Sequence, residues 1–255
     1  MNKRVLSLTL LLACLGLMTM QAEGRKVESF NSGWSFKKAP AEKELAINAP
    51  KWDKGWSEVE IPHTWNAKDM QVQANSFYEG AAYYKKQYFF PAELKDKRVF
   101  LRFEGVGSCA EVFVNGMLAT SHKGGYSAFA CEISPLLKAG EENEIIVKAD
   151  NKSRPDVIPV NHNLFGVYGG IYRPVWLVVT EPCNISVTDC ASPGVYVTQK
   201  NVSKKQADVK VKVKLDNGTL QPVPVTLQNT IYDQEGKQVA THSQSFELSA
   251  QGEQA

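Results

Sequence analysis

The chain has 255 residues, of which 43% are hydrophobic and 22% are charged. That length allows one large domain or two ordinary ones. The net charge of +2 comes from scattered basic residues without interleaved aromatics, which argues against a nucleic-acid partner.

The first residues have the pattern of a secretory signal peptide. Asn2-Lys3-Arg4 form a short basic region, residues 5–20 are mostly apolar, and Ala22 offers a small residue for cleavage. The apolar run is too short and too weakly flanked for a stable transmembrane helix. We therefore predict that residues 1–22 direct export to the periplasm or surface of a bacterium. Lipid anchoring at Cys14 stays open, although the residues after it remain apolar.

Cysteine and histidine spacing indicates neither a metal nor a cofactor. Outside the signal peptide the cysteines are Cys109, Cys131, Cys183 and Cys190. No CxxC or Cys/His metal spacing occurs among them. Export permits disulfides, so Cys183 and Cys190 could close a small loop or remain thiols. The loose GxGxxA at residues 105–110 precedes another strand pattern instead of a helix, which excludes a dinucleotide site.

The rest of the chain has the pattern of short strands. Residues 99–103, 111–114 and 144–148 are β-branched or aromatic runs bounded by Gly, Asn and Pro. Asn115-Gly116 predicts a type I′ hairpin, because that turn needs positive φ at both positions. Residues 207–215 alternate valine with lysine, which predicts a half-buried antiparallel strand. Long stretches with a 3.6-residue period are missing, so helix should be scarce.

A change in composition divides the chain near residues 179–192. Aromatic residues and glycines are dense before this point, and plain alternation follows it. We predict an all-β protein, with a first β-sandwich over residues 25–181 and an immunoglobulin-like sandwich over residues 182–255. The second stretch is shorter than the roughly 100 residues that such a domain needs, so we expect it to be truncated.

Two motifs carry the most information. The loop Ile61-Pro62-His63-Thr64-Trp65-Asn66 suits core closure or stacking on a sugar ring, and core closure is favoured. Gly169-Gly170 lets the backbone approach a neighbour closely or take positive φ. Arg173 follows in an apolar stretch, where a buried guanidinium needs carboxylate or carbonyl partners. We predict a structural ion pair there, at the end of a sheet.

Motifs for a complete catalytic site are absent from the sequence. The chain has no GxSxG, HExxH or P-loop pattern. Its carboxylates alternate with apolar strand residues or lie in loops, and a glycosidase pair cannot be recognised by spacing alone. We therefore expect no catalytic residues within these 255 positions.

Five segments, taken in order, resemble the N-terminal half of glycoside hydrolase family 2, the β-galactosidase, β-glucuronidase and β-mannosidase group. The segments are Ile61-Pro62-His63-Thr64-Trp65-Asn66, Gly80-Ala81-Ala82-Tyr83-Tyr84-Lys85-Lys86, Phe103-Glu104-Gly105-Val106 with Glu111-Val112-Phe113-Val114-Asn115-Gly116, Gly124-Gly125-Tyr126-Ser127-Ala128-Phe129, and Gly169-Gly170-Ile171-Tyr172-Arg173-Pro174-Val175. The resemblance implies a jelly-roll, galactose-binding-like first domain, an immunoglobulin-like second domain and a TIM barrel that carries two catalytic glutamates. A barrel takes about 250 residues, so it cannot lie within this chain.

The resemblance also implies roles for particular residues. The segment before the Gly-Gly motif lends polar side chains to the family's sugar pocket, often an acidic one. Asn161, His162 and Asn163 stand there in this sequence, and we expect them to bond sugar hydroxyls. The other motif residues are expected to be structural, with the arginine serving packing and salt bridging between domains: His63, Trp65, Gly169, Gly170, Tyr172 and Arg173.

These observations predict the non-catalytic N-terminal part of a secreted retaining β-glycosidase, β-galactosidase-like, that acts on terminal β-linked sugars. The expected partners are a β-glycoside or oligosaccharide substrate, the missing C-terminal barrel, and further copies of the parent enzyme as a homo-oligomer. We expect the chain to be inactive on its own. A stand-alone carbohydrate-binding or adhesion module remains the alternative.

Overall fold

The computed structural model describes residues 24–39, 54–69, 77–160, 166–203, 205–250 and 253–254. The signal-peptide prediction and Asn161, His162 and Asn163 fall outside these ranges. Regular secondary structure in the described residues is almost entirely β-strand, with two short 3-10 helices at Ala92–Leu94 and Ser134–Leu136. Helices long and apolar enough to cross a membrane are absent from the described part.

The first domain is a jelly-roll sandwich of two antiparallel sheets. Its strands are β1 (Lys26–Ser29), β2 (Trp34–Lys38), β3 (Ser57–Val59), β4 (Ala81–Phe90), β5 (Arg98–Phe103), β6 (Cys109–Val114), β7 (Met117–Lys123), β8 (Phe129–Glu132), β9 (Glu141–Asp150) and β10 (Val175–Thr180). One sheet has the order β1-β10-β5-β8 and the other β3-β2-β4-β9-β6-β7. Residues of both sheets share one buried apolar core, which makes the pair a sandwich.

Alternation along the strands explains this core. In β6, Ala110, Val112 and Val114 are buried in the core while Cys109 and Glu111 are only partly buried on the other face. Phe100 of β5 follows the same alternation and lies on the outer face of its sheet, where it is also buried because it packs with Val178 and Val187. The predicted hairpin is confirmed: β6 pairs with β7 across a turn in which Asn115 and Gly116 have φ of 51° and 80°.

The second domain is immunoglobulin-like and made of small sheets. Its strands are β11 (Cys183–Ile185), β12 (Val195–Lys200), β13 (Asp208–Val213), β14 (Leu215–Asn217), β15 (Val223–Tyr232), β16 (Gln238–Leu248) and β17 (Glu253–Gln254). They form the sheets β11-β14-β17, β12-β13 and β15-β16. Among the described residues of this domain, one buried cluster is formed by Val213, Leu215 and Leu248, with partly buried apolar side chains packed against it.

The predicted half-buried antiparallel strand over residues 207–215 is confirmed in part. The strand β13 ends at Val213, and β14 begins at Leu215 in a different sheet. Burial along its valine face increases from the exposed Val209 through the partly buried Val211 to the buried Val213, while Lys210 and Lys212 are exposed. Cys183 and Cys190 are free thiols, so the disulfide alternative is not realised.

Three arginines of the first domain hold the first strand of the second domain and the linker that follows it, between β11 and β12. Arg25 donates to the carbonyl of Ile185 at 2.6 Å, and Arg102 donates to that of Ala191 at 2.9 Å. Between them, Val187 is buried against Phe100 on the outer face of the four-stranded sheet. The linker is therefore a packed element of the fold.

The third arginine, Arg98, joins the two domains through side chains. Its guanidinium makes two hydrogen bonds to Glu132, at 3.1 and 2.6 Å, in the bidentate geometry that favours Arg–carboxylate pairs. The same group donates to Asn184 Oδ1 at 3.0 Å and lies 3.8 Å from Asp216 of β14. The Arg98 and Glu132 side chains are only 16% and 28% exposed, so solvent screens this pair less than a surface pair.

We expect Arg98→Met to lower the free energy of unfolding by about 2 kcal/mol, because it leaves the partly buried Glu132 and the buried Asp216 without their shared cation. Urea denaturation of the 255-residue chain at pH 7 measures the change. The matched control is Arg154→Met, whose arginine forms an exposed pair with Asp156 and should leave the midpoint unchanged. Equal midpoints for the two variants would show that the domain junction does not depend on Arg98.

Candidate functional site

The motif residues meet at one end of the first sandwich. The backbone N–H of His63 donates to the carbonyl of Ile171 at 2.8 Å. Gly107, in the turn before β6, forms an isolated bridge with Gly170 through an N–H to carbonyl hydrogen bond of 3.0 Å. Three segments far apart in sequence are thus joined by backbone contacts around the Gly-Gly pair.

Positions 169 and 170 each require glycine, for different physical reasons. A Cβ on Gly169 would lie 2.6 Å from Cη2 of the Trp65 indole and closer still to two other ring atoms. Gly170 has φ of +118°, and a Cβ there would lie 2.5 Å from the carbonyl oxygen of His63. Close approach explains the first glycine, while positive φ and close approach together explain the second.

His63 belongs to an aromatic cluster. Its Nδ1 shares a hydrogen bond of 2.8 Å with the hydroxyl of Tyr84, and its ring lies 4.7 Å from that of Phe36. Burial lowers the pKa of His63 and raises that of Tyr84. Both side chains are therefore neutral near pH 7, which suits a structural role better than proton transfer.

Two buried asparagines connect the same segments. Asn66 Oδ1 accepts hydrogen bonds from the Gly169 N–H at 2.8 Å and from Asn151 Nδ2 at 3.2 Å. Asn151 also donates to the carbonyl of Val167 at 2.8 Å and accepts from the Gly80 N–H at 2.9 Å. Both asparagines are fully buried. The sequence motif contained Asn66 without indicating this role, and Asn151 was missed.

Trp65 is held by packing alone within the described part of the chain. Its indole N–H is buried without a hydrogen-bond partner there, as is the hydroxyl of Ser108. Leaving such a group unpaired costs about 1–3 kcal/mol. The ring contacts of Trp65 with Phe36 and Tyr78 and the backbone of Gly169 must offset that cost.

Arg173 differs from its prediction. It is exposed and precedes β10, so the expected buried guanidinium is wrong. Its guanidinium carbon lies 5.9 Å from the centre of the Tyr172 ring, a cation–π distance. The salt bridging between domains that was expected of Arg173 stays a prediction. Tyr172 donates its hydroxyl to the carbonyl of Gly125.

A cleft opens beside the Gly-Gly loop, and we refer to it as the tyrosine cleft. Its volume is about 290 Å³, and its lining includes Thr64, Gly107, Gly125, Tyr126, Tyr168 and Tyr172. The lining residues Gly166, Val167 and Tyr168 come shortly after the predicted sugar-contacting positions Asn161, His162 and Asn163. Carboxylates are absent from the described lining, and clusters of metal-ligating side chains are absent from the described residues.

Comparison with known families identifies the chain. Residues 27–182 match the glycosyl hydrolases family 2 sugar binding domain, and residues 193–255 match a second glycosyl hydrolases family 2 domain. The first match alone covers more than half of the sequence. The chain belongs to glycosyl hydrolase family 2.

Individual relatives agree with this family. A β-glucuronidase of Bacteroides fragilis is 45% identical over 159 residues, which cover 62% of this chain and 23% of that protein. The β-galactosidase BoGH2A of Bacteroides ovatus is 29% identical over 89% of this chain and 26% of its own length. The chain thus spans about a quarter of the length of these curated relatives.

Similarity to solved structures agrees with this family assignment. A Bacteroides fragilis structure with a provisional β-galactosidase assignment is 71% identical, with a TM-score of 0.86 over 91% of this chain and 34% of that one. A Bacteroides uniformis β-glucuronidase 2, covalently bound to cyclophellitol-6-carboxylate aziridine, is 28% identical with a TM-score of 0.80. The match covers 90% of this chain and 27% of that structure's chain.

We expect Gly169→Ala to destabilise the chain by about 3 kcal/mol, because the new methyl group overlaps the indole of Trp65. The control is Gly125→Ala in the same region, where the nearest atom would be 3.4 Å away and the loss should be small. In a Trp65→Leu background the cost of Gly169→Ala should shrink, since the overlapping atoms are gone. Thermal unfolding of all four variants measures this, and strictly additive losses would contradict it.

The lowered pKa of His63 predicts a pH dependence of stability. Below the unfolded-state pKa of about 6.5 the unfolded chain binds a proton that the folded chain resists, so stability falls as the pH drops from 7.5 to 5.5. Burial lowers the pKa of His122 as well, which adds a contribution of the same sign. His63→Asn should therefore reduce the slope of stability against pH, and the double variant His63→Asn/His122→Asn should reduce that slope further. Urea denaturation midpoints measured between pH 5.5 and 7.5 test this order of slopes. A slope that is unchanged in both variants would refute the predicted contribution of the histidines.

Proposed function

We propose that the chain is the N-terminal, non-catalytic part of an exported retaining β-glycosidase, β-galactosidase-like, that removes terminal β-linked sugars. One observation carries the proposal: both family domains occur in order, while the chain spans only about a quarter of its curated relatives. The remaining length of such a relative is ample for a TIM barrel, which takes about 250 residues.

In this proposal the chemistry lies in that barrel. A retaining glycosidase uses two carboxyl groups about 5 Å apart, one as nucleophile and one as acid and then base. The first sandwich completes the wall of the pocket, and Asn161, His162 and Asn163 bond hydroxyls of the bound sugar. The neutral, packed state of His63 supports a structural role for the Pro-His-Thr-Trp loop behind this wall.

A β-glucuronide is the second candidate substrate. The β-glucuronidase of Bacteroides fragilis favours it, whereas the 71% identical structure with a β-galactosidase assignment favours the galactoside. Export through residues 1–22, with delivery to the periplasm or cell surface, belongs to the same proposal, and so does assembly of the parent enzyme into a homo-oligomer.

The test compares residues 23–255 with the longer protein encoded by the gene beyond codon 255. We expect hydrolysis of nitrophenyl β-galactoside by the longer protein only, with retained anomeric configuration seen by NMR. In it, Asn163→Ala should raise KM about tenfold, the effect of one lost hydrogen bond to a sugar hydroxyl. The control Gln228→Ala changes an exposed residue of β15 and should leave KM unaltered.

Two results would count against the proposal. A stop codon directly after codon 255, together with sugar binding by the chain alone, would favour a carbohydrate-binding or adhesion module. Hydrolysis of glucuronides but not galactosides by the longer protein would establish the second candidate substrate in place of the first.

A further inference from the structure

A second cleft lies where the two domains meet, and we refer to it as the junction cleft. It has a volume of about 290 Å³ and lies between the outer face of the four-stranded sheet and the linker that joins β11 to β12. Its lining includes Arg25, Val27, Arg102, Trp176, Val187 and Pro193. The junction cleft and the tyrosine cleft share none of their described lining residues, so they are separate sites.

The floor of the junction cleft is apolar. Val178 and Val187 are 2% and 1% exposed, and both pack with Phe100 in one buried cluster. The indole of Trp176 packs against this cluster and is only partly buried. Val27, which also lines the cleft, is 51% exposed. An apolar group that enters the cleft is removed from water against these side chains, which is favourable.

The side of the cleft formed by Arg102 is fixed by hydrogen bonds. Arg102 donates to the carbonyl of Ala191 at 2.9 Å and to Glu104 Oε1 at 3.1 Å. The same oxygen of Glu104 accepts the indole N–H of Trp176 at 2.8 Å. Side chains that are fixed before a ligand arrives lose little conformational entropy when it binds.

Arg25 gives the cleft an excess of positive charge. Its Nη2 donates to the carbonyl of Ile185 at 2.6 Å, and in the described part of the chain it forms no ion pair with a carboxylate. Desolvation lowers the pKa of Arg25, the charge of Arg102 lowers it further, and the weaker effect of Asp216 raises it. Glu104 is the one carboxylate of the described lining, and it is already bonded to Arg102. An anion in the cleft would offset the repulsion between the two arginines.

We propose that the junction cleft binds a small organic carboxylate, with its apolar body against Val178 and Trp176 and its carboxylate on Arg25. The planar guanidinium suits this ligand because its N–H groups match the two oxygens of a carboxylate. The cleft is at the small end of ligand pockets, so the apolar body is a single ring or a branched chain. This site is independent of the proposed glycosidase function.

The experiment is an NMR titration of the 255-residue chain with phenylacetate, followed at the indole N–H of Trp176. We expect saturable binding in the low millimolar range, which is what a ligand of about ten non-hydrogen atoms supports. Phenylacetamide keeps the shape without the charge, and acetate keeps the charge without the ring. Both should bind at least about tenfold more weakly, and added salt should weaken the binding of phenylacetate.

Variants of the chain test the role of the arginine. Arg25→Gln should weaken the binding of phenylacetate about tenfold, because it removes a charge-assisted hydrogen bond, and Arg25→Lys should weaken it less. Val27→Asp places a negative charge at an exposed position of the lining, so it should also weaken binding if Arg25→Gln fails to fold. The matched control is Arg154→Gln, which removes an exposed arginine elsewhere in the first domain and should change nothing.

Four results would overturn the proposal. They are the absence of saturable binding, equal affinity for phenylacetate and phenylacetamide, binding that neither Arg25→Gln nor Val27→Asp weakens, and binding that Arg154→Gln weakens equally. Binding by the 255-residue chain that is lost in a longer protein would assign the cleft to a side chain of that protein, which overturns the proposal as well. None of these titrations needs hydrolysis, so their failure leaves the proposed function standing.

Discussion

The indole of Trp65 lies against the backbone of Gly169 with no room for a side chain between them. This contact brings the loop before β4 and the loop before β10 to the same end of the sandwich. Because the indole N–H lacks a partner in the described chain, shape complementarity and aromatic packing alone hold the ring. The arrangement depends on a close fit, as protein interiors generally do.

The remaining features of this end depend on that fit. The Gly169 N–H reaches Asn66, and through Asn66 and Asn151 the hydrogen-bond network ties in the Val167 carbonyl. Val167 and Tyr168 are thereby placed as one wall of the tyrosine cleft. A polar network that is buried and fully bonded specifies a single backbone arrangement, whereas apolar contacts alone tolerate sliding. The aromatic contact brings the loops together, and the asparagines fix their register.

Much of the fold could be predicted from local patterns. The hairpin at Asn115-Gly116 and the strands around it follow from turn chemistry and alternation, which are properties of a few neighbouring residues. The family could be recognised because the five motifs occur in the same order as in glycoside hydrolase family 2, and each motif is a short run of neighbouring residues. The reason for Gly170 was also accessible, since positive φ is what a glycine uniquely allows.

The predictions that were wrong or missing concern features that contacts between distant parts of the chain determine. Arg173 looked buried because its neighbours are apolar, yet it precedes the strand and points to solvent. The valines of β13 alternate as predicted, but the end of that strand at which they are buried depends on contacts with other strands of the second domain. Asn66 and Asn151 are 85 positions apart, so no local window shows that they bond. Asn161, His162 and Asn163 remain predictions.

The bonds at the domain junction have a consequence for how its sequence can change. Arg25 and Arg102 bind the linker through the carbonyls of Ile185 and Ala191, which every amino acid supplies. These two bonds therefore do not depend on side-chain identity in the linker, whereas Val187 must stay apolar to cover Phe100 and Gly194, at φ of +77° with no room for a Cβ, must stay glycine. The side chains that make these two bonds therefore belong to the first domain, and the linker contributes only backbone atoms to them.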